Sequence, residues 1–201
     1  MSAALDVDPT FGHGPYTSDD LHECPEEGKG YELWNGWLIE KKSFPSGPRN
    51  RVGRGLRRLF ADAAQRAGAD VFSDGGEYEF RFPTGVRKPD AFILDADAER
   101  AAVEADETFL DPADLVLVAE VVSLRSGSEA HDRKIKRDEY AAAGIPHYWI
   151  VDFRPTLRIE ALDLTKGRYG SGRIITGDEL LVTDQPFEIS VSPNALFELG
   201  R

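Results

Sequence analysis

Glu120 sits inside Leu115 to Val122 (LVLVAEVV), the most apolar run of the chain. A carboxylate there must be paired, protonated or bound to a metal, because an unpaired buried charge is very costly. Asp90 follows Pro89 and opens a second apolar run, Ala91 to Leu94. Two carboxylates on two core strands suit a hard cation, since Mg²⁺ is held by one or two carboxylates with waters and substrate phosphates completing its shell. The alternative is that each carboxylate pairs with a nearby Arg or Lys. Downstream, Asp132, Lys136 and Tyr140 are spaced by four and share one helix face. A helix starting soon after the Glu120 strand can fold back over it and carry Lys136 toward both carboxylates. A lysine in that place can orient or deprotonate a metal-bound water and stabilise charge on a pentavalent phosphorus. The plainer alternative is an Asp132–Lys136 surface pair, worth a few tenths of a kcal/mol.

The elements that must position these groups follow from periodicity. Residues 1–15 read as a flexible tail and 16–201 as a single domain. Thr17 or Ser18 caps a short helix through about Glu23, which Pro25 ends. Tyr31–Trp34 and Trp37–Lys41 flank Asn35-Gly36, a dipeptide that accepts the positive φ angles of a tight hairpin turn. Trp34 and Trp37, three apart, are expected on opposite faces and in the core. After a loop at Pro45 to Pro48, Val52, Leu56, Leu59 and Ala63 make one apolar stripe of a helix from about Asn50 to Ala67, closed by Gly68. Arg51, Arg54 and Arg58 form another face, and Gly53 and Gly55 weaken the start. Strands are expected at Val71–Ser73, Glu77–Phe82 and Arg87–Leu94. Asp95–Glu107 reads as a solvated loop or weak helix. Leu115–Val122 has the pattern of a strand covered on both faces. Ser123 and Ser126 are expected to cap a helix over Ser128–Ala143, and His147–Val151 is a further buried strand. The last fifty residues read as short strands and turns. Interleaved helices and strands indicate an α/β or α+β class with a mixed sheet.

Composition limits the function. At 201 residues with 41% apolar and 30% charged residues, the chain can bury a full core, and disorder is excluded as its main state. No apolar run reaches the roughly 20 residues that span a bilayer. The N-terminus lacks the basic start and apolar stretch of a signal peptide, and a cytoplasmic protein is expected. Cys24 is the single cysteine, which removes internal disulfides and Cys-based metal sites. The net charge of −12 opposes generic binding of polyanions. Yet Lys41 to Arg58 holds seven basic residues and no acidic one, whereas Asp95 to Asp114 is strongly acidic.

Five blocks in order carry a resemblance. Pro89-Asp90, LVAEVVS (Leu117 to Ser123) and DRKIKRDEYAAAGIPHYWIVD (Asp132 to Asp152), with YELWNGWLIE (Tyr31 to Glu40) before them and DQPFEISV (Asp184 to Val191) after, resemble the Uma-two family of restriction endonucleases, within the PD-(D/E)XK nuclease superfamily. The resemblance implies a restriction-endonuclease-like α/β core: a central mixed β-sheet flanked by helices, with an N-terminal β-hairpin. It makes Asp90 the aspartate of the PD motif and Glu120 the second acid. The superfamily lysine would stand two residues after that acid, where this chain has Val122; the family places it on the next helix, at Lys136. Glu32 matches the acid of the hairpin motif. Asn50 stands where the family commonly has a His.

The expected function is therefore metal-dependent hydrolysis of phosphodiester bonds in DNA. Asp90 and Glu120 would hold Mg²⁺ or Mn²⁺, with the Val121 carbonyl as a further ligand. Lys136 would position the attacking water, Glu32 would complete the surroundings, and Arg51, Arg54 and Arg58 would meet backbone phosphates. Two alternatives stand beside this: a catalytically silent nucleic-acid-binding or assembly module that keeps the fold, and a nuclease acting on RNA or branched DNA. Cleavage of both strands by this chemistry needs two sites, so a homodimer is expected. A membrane partner and an organic cofactor are not.

Overall fold

The computed structural model describes residues 14–41, 47–122 and 129–201. The tail up to residue 13, the loop residues Pro45 and Ser46 and the proposed caps Ser123 and Ser126 lie outside these residues.

The central sheet is mixed and runs β10-β9-β8-β7-β6-β3, with β11 paired to β9. Its strands are β3 (Val71–Asp74), β6 (Ala91–Asp95), β7 (Leu115–Val122), β8 (His147–Asp152), β9 (Arg158–Thr165), β10 (Arg168–Tyr169) and β11 (Arg173–Thr176). β7 and β8 pair in parallel, and the neighbouring pairs are antiparallel. Because β7 lies between β6 and β8 and is covered on both faces, its sequence is almost continuously apolar. Side chains alternate along it. Leu117, Ala119 and Val121 join the core beneath helix α2 (Pro48–Ala67), while Val118 and Val122 join the core beneath helix α4. Glu120 follows the second set by the two-residue period of a strand.

A parallel pair requires a crossover, and α4 is that crossover. It starts as a π-helical segment, His131–Ile135, and continues as an α-helix, Lys136–Ala142. Gly144 then takes φ 82°, and Ile145 is buried. The opposite face is sealed by α2 and by the C-terminal helix α5 (Pro193–Leu199). Sequence patterning did not anticipate α5, because seven residues behind Pro193 hold barely two turns. The two glycines expected to weaken α2 lie in an unbroken helix of 20 residues. Gly55 is where α5 crosses: a Cβ there would stand 2.0 Å from the Leu196 carbonyl oxygen.

A second, four-stranded antiparallel sheet runs β2-β1-β5-β4. It contains the hairpin β1 (Tyr31–Trp34) and β2 (Trp37–Glu40), with β4 (Phe80–Phe82) and β5 (Gly85–Arg87). Asn35 (φ 48°) and Gly36 (φ 78°) make the expected turn. Trp34 and Trp37 are direct cross-strand partners, not residues of opposite faces, because a two-residue loop pairs the residues flanking it. Trp37 lies on the edge strand and is 57% exposed, so it is not a core residue. Helix α1 (Ser18–Glu23) packs Leu21 beneath this sheet, and Thr17 caps it through Asp20 as expected.

The continuous strand expected over Arg87–Leu94 is two strands in two sheets. β5 ends at Arg87 and β6 begins at Ala91. Lys88-Pro89-Asp90 is the corner between them, where Pro89 has no N–H to offer a ladder. The strand expected from Glu77 shortens to Phe80–Phe82. Ala96–Glu104 is a helix, α3, capped by the Asp95 side chain on Asp97 N and Ala98 N. β12 (Leu181–Thr183) and β13 (Ile189–Val191) form a small ribbon against the α2 side of the core.

Candidate active site

The corner at Asp90 and the middle of β7 come together by register. β6 and β7 pair with Ala91 opposite Ala119, so one further rung sets Asp90 beside Glu120. One residue beyond that rung, Val121 N donates to the Asp90 side chain, at 2.9 Å from Oδ2. Asp90 therefore stands at the end of β6 on the same side of the sheet as Glu120.

Lys136 reaches both sheets. Its Nζ donates to Glu120 Oε1 at 2.9 Å and to Glu32 Oε1 at 3.0 Å, and lies 3.3 Å from Asp132 Oδ1. Glu120 and Lys136 are 1% and 2% exposed, so this is an ion pair inside the protein and not the surface alternative. One turn on, Tyr140 OH donates to the same Glu120 oxygen at 2.8 Å. The i, i+4 spacing of Asp132, Lys136 and Tyr140 thus presents all three to β7, despite the π-helical start. Glu32, supplied by β1, also accepts from Lys88 N at 3.0 Å, which ties the hairpin to the Lys88–Asp90 corner.

Two cations that sequence reasoning did not single out complete the cluster. Arg49, in the first turn of α2, donates through Nη2 to Asp90 Oδ2 at 2.8 Å and through Nε to the Val121 carbonyl at 3.0 Å. Lys41, just past β2, lies 3.3 Å from Asp90 Oδ1 and 3.9 Å from Glu32, and its amine hydrogen-bonds the Lys88 carbonyl. Both belong to the basic run from Lys41 to Arg58, which was the available signal. It marked charge but not direction. Asn50 stands next to Arg49 in the same turn.

Burial and charge set the protonation states. Burial raises the Glu120 carboxyl to about 7, against the pull of Lys136. Burial also opposes ionisation of Glu32, but Lys136, Lys41 and Arg87 outweigh it and hold the group at about 2. At Asp90, Lys41 and Arg49 likewise overcome burial and keep the carboxyl well below its ordinary range. Burial disfavours the Lys136 ammonium, yet the carboxylates of Glu120, Glu32 and Asp132 raise its pKa and keep it charged. Asp132 is raised by burial.

The arginines expected on DNA are divided. Arg51 donates to the Phe197 carbonyl at 2.7 Å and stacks on that ring, and Arg54 donates twice to the Gly200 carbonyl. Both close the C-terminus of α5. Arg58 is 62% exposed, with Asp62 at 3.9 Å. Arg57, on the inner side of α2, reaches the Asp90 carbonyl at 3.0 Å.

The donor atoms suit a hard divalent ion: two carboxylates on adjacent strands and the Val121 carbonyl. Among the described residues no three His, Cys, Asp or Glu side chains are placed to hold a metal ion by themselves. A cation here would need waters or substrate oxygens as well, as Mg²⁺ commonly does. No described helix is long and apolar enough to cross a membrane.

Comparison with known proteins agrees with this architecture. The crystal structure of "a putative nuclease belonging to DUF820 from Anabaena variabilis" superposes with a TM-score of 0.66 at 15% identity, over 93% of this chain and 100% of that one. At that identity the match shows a shared fold. No curated protein matches the sequence. The model of the Uma2 family, described as "Putative restriction endonuclease", matches residues 18–194, which include every residue of the carboxylate–lysine cluster. The chain belongs to the Uma2 family.

Proposed function

We propose that the protein is a divalent-metal-dependent endonuclease that hydrolyses phosphodiester bonds in DNA. The observation that carries this reading is the buried Lys136–Glu120 pair at 2.9 Å, set one strand from Asp90. A structural ion pair needs no second carboxylate at its side and no third from another sheet. Asp90, Glu120 and the Val121 carbonyl are the residues that would hold Mg²⁺ or Mn²⁺. The ion would supply Lewis acidity and activation of a water at phosphorus.

The chain's own groups have separable tasks. Lys136 stays charged, so it can donate to an attacking water or to a phosphoryl oxygen and stabilise charge that builds there. Glu32 and Asp132 hold its ammonium in place, and Tyr140 fixes the Glu120 carboxylate. Arg58 and the neighbouring solvent face of α2 are proposed to meet backbone phosphates, while Arg51 and Arg54 support that face through α5.

A silent binding module is favoured by one specific observation: Asp90 already has two cations beside it, so the cluster folds without metal. Cleavage of supercoiled and linear DNA with Mg²⁺ or Mn²⁺ separates the two readings. Metal-dependent nicking by the wild type that is lost in D90A, E120A and K136A supports the enzyme. Retained DNA binding with no cleavage under either metal supports the module. Cleavage confined to RNA or branched DNA would replace the substrate and keep the chemistry.

A further inference from the structure

We propose that Arg49 is a resident counter-cation of the active site, which a divalent ion must displace in order to bind; this rests on the metal-dependent reading above. The geometry is specific. Arg49 does not merely approach Asp90: its Nη2 lies 2.8 Å from Asp90 Oδ2 while its Nε donates at 3.0 Å to the Val121 carbonyl. Those are two of the three oxygen groups that the ion would use. One guanidinium thus spans the carboxylate and the carbonyl, and an ion drawn to the same two groups meets its positive charge there.

Charge makes exchange the favourable route. Among the described residues the cluster contains four carboxylates, Glu32, Asp90, Glu120 and Asp132, and the cations touching them are Lys41, Arg49 and Lys136. With all ionised, the set carries one net negative charge. Adding a divalent ion would leave one net positive charge in a buried place. Replacing Arg49 by the ion leaves none, and buried charge is tolerated best when fully paired. Lys136 cannot be the group that leaves, being enclosed at 2% exposure between Glu120 and Glu32. Arg49 stands in the first turn of α2, and its side chain remains 18% exposed, so of the two it is the cation nearer to solvent.

The device has a functional consequence. Without metal the carboxylates are neutralised and the fold is complete. Metal affinity is lowered by the competition, and the displaced guanidinium becomes available to an anionic substrate beside the ion.

The test is a titration of the full chain with Mn²⁺ by calorimetry, using wild type, R49M, R49K and R49M/D90N. The expected result is that R49M binds Mn²⁺ about tenfold or more tightly than wild type, since one competing charge has gone from beside the ligands. R49K should fall between, because an ammonium keeps the charge but cannot bridge both oxygens. R49M/D90N should lose the gain. Equal or weaker binding by R49M, beside measurable binding by wild type, overturns the inference and leaves the metal site standing. No binding by either overturns the inference, because removing the competitor then opens no site, while the metal reading passes to the cleavage assay with substrate present. A wild-type measurement guards against variants that do not fold: in ¹⁵N-labelled protein, Mg²⁺ should shift the Arg49 Nε–H resonance and speed its exchange with water. An Arg49 resonance unmoved at saturating Mg²⁺ also overturns the proposal.

Discussion

Lys136 and Glu120 meet inside the protein at 2.9 Å, one on the crossover helix and the other on the strand that the crossover leaves. The same Lys136 ammonium binds Glu32 from the other sheet at 3.0 Å. One side chain therefore joins three elements.

Removing that cation should cost more than neutralising its partner. K136M leaves Glu120, Glu32 and Asp132 facing one another, and breaking a buried pair in this way costs about 3–5 kcal/mol. E120Q keeps the shape and removes a carboxyl already raised to about 7, so it should change stability by less than about 1.5 kcal/mol. Urea unfolding at pH 7.5 checks both. Both variants should lack nuclease activity, so a stable but inactive E120Q separates catalysis from folding.

His131 makes the fold sensitive to acid. It is 7% exposed, packs edge-on against Trp34, and burial lowers its pKa to about 4 from an ordinary 6.5. Between those values the unfolded chain binds a proton that the folded chain refuses. The stabilisation is present above 6.5 and is lost as pH falls toward 4, by about 1–3 kcal/mol. Glu120 works in the opposite sense, because its raised carboxyl favours the folded state as pH falls through about 7. Unfolding of wild type and H131Q at pH 7.5 and pH 4.5 isolates the histidine. The wild type should lose more stability on acidification than H131Q, and equal losses would exclude His131 as the cause.

The small sheet is fastened to the crossover helix by Arg87. This fully buried side chain donates to both Glu139 oxygens, at 2.6 and 2.9 Å, and to the Leu33 carbonyl. R87M leaves Glu139 and the carbonyls of Leu33 and Val86 short of donors and should destabilise the protein by about 3–5 kcal/mol. E139Q retains one acceptor and should cost roughly half of that. Melting temperatures decide this. A change below 2 °C for R87M would show that the sheet is held by apolar packing alone.

Arginines on α2 should differ in what they do. R58A removes an exposed charge, so stability should stay within about 0.5 kcal/mol while DNA affinity falls and the salt dependence of binding drops by about one contact. R51A removes a donor to the Phe197 carbonyl and the stacking on its ring, so it should cost about 1–2 kcal/mol in stability. Fluorescence anisotropy over a salt series, paired with urea melts, reads both effects. A DNA-binding loss in R51A larger than in R58A, at equal stability, would reverse the assignment.

Much of this was legible in the chain. Asn35-Gly36 specified the hairpin because few dipeptides tolerate two positive φ angles. LVLVAEVV announced a strand covered on both faces, and its one carboxylate announced a buried partner, which is Lys136. The spacing of Asp132, Lys136 and Tyr140 presented one helix face, and the family pattern named Lys136 and Glu32. What tertiary structure decided is the direction of each charge. Lys41 and Arg49 read as members of a basic run, since a count of cations does not say which of them folds inward. The corner at Lys88-Pro89-Asp90 read as the middle of one strand, because local pattern does not record a change of sheet. Gly55 read as a weakness until α5, seven residues long and silent in periodicity, crossed over it. Backbone preference and apolar period are local properties and survive in the sequence. The pairing of Glu32, Asp90, Glu120 and Asp132 with Lys41, Arg49 and Lys136 is a long-range electrostatic outcome, fixed only when two sheets and two helices close together.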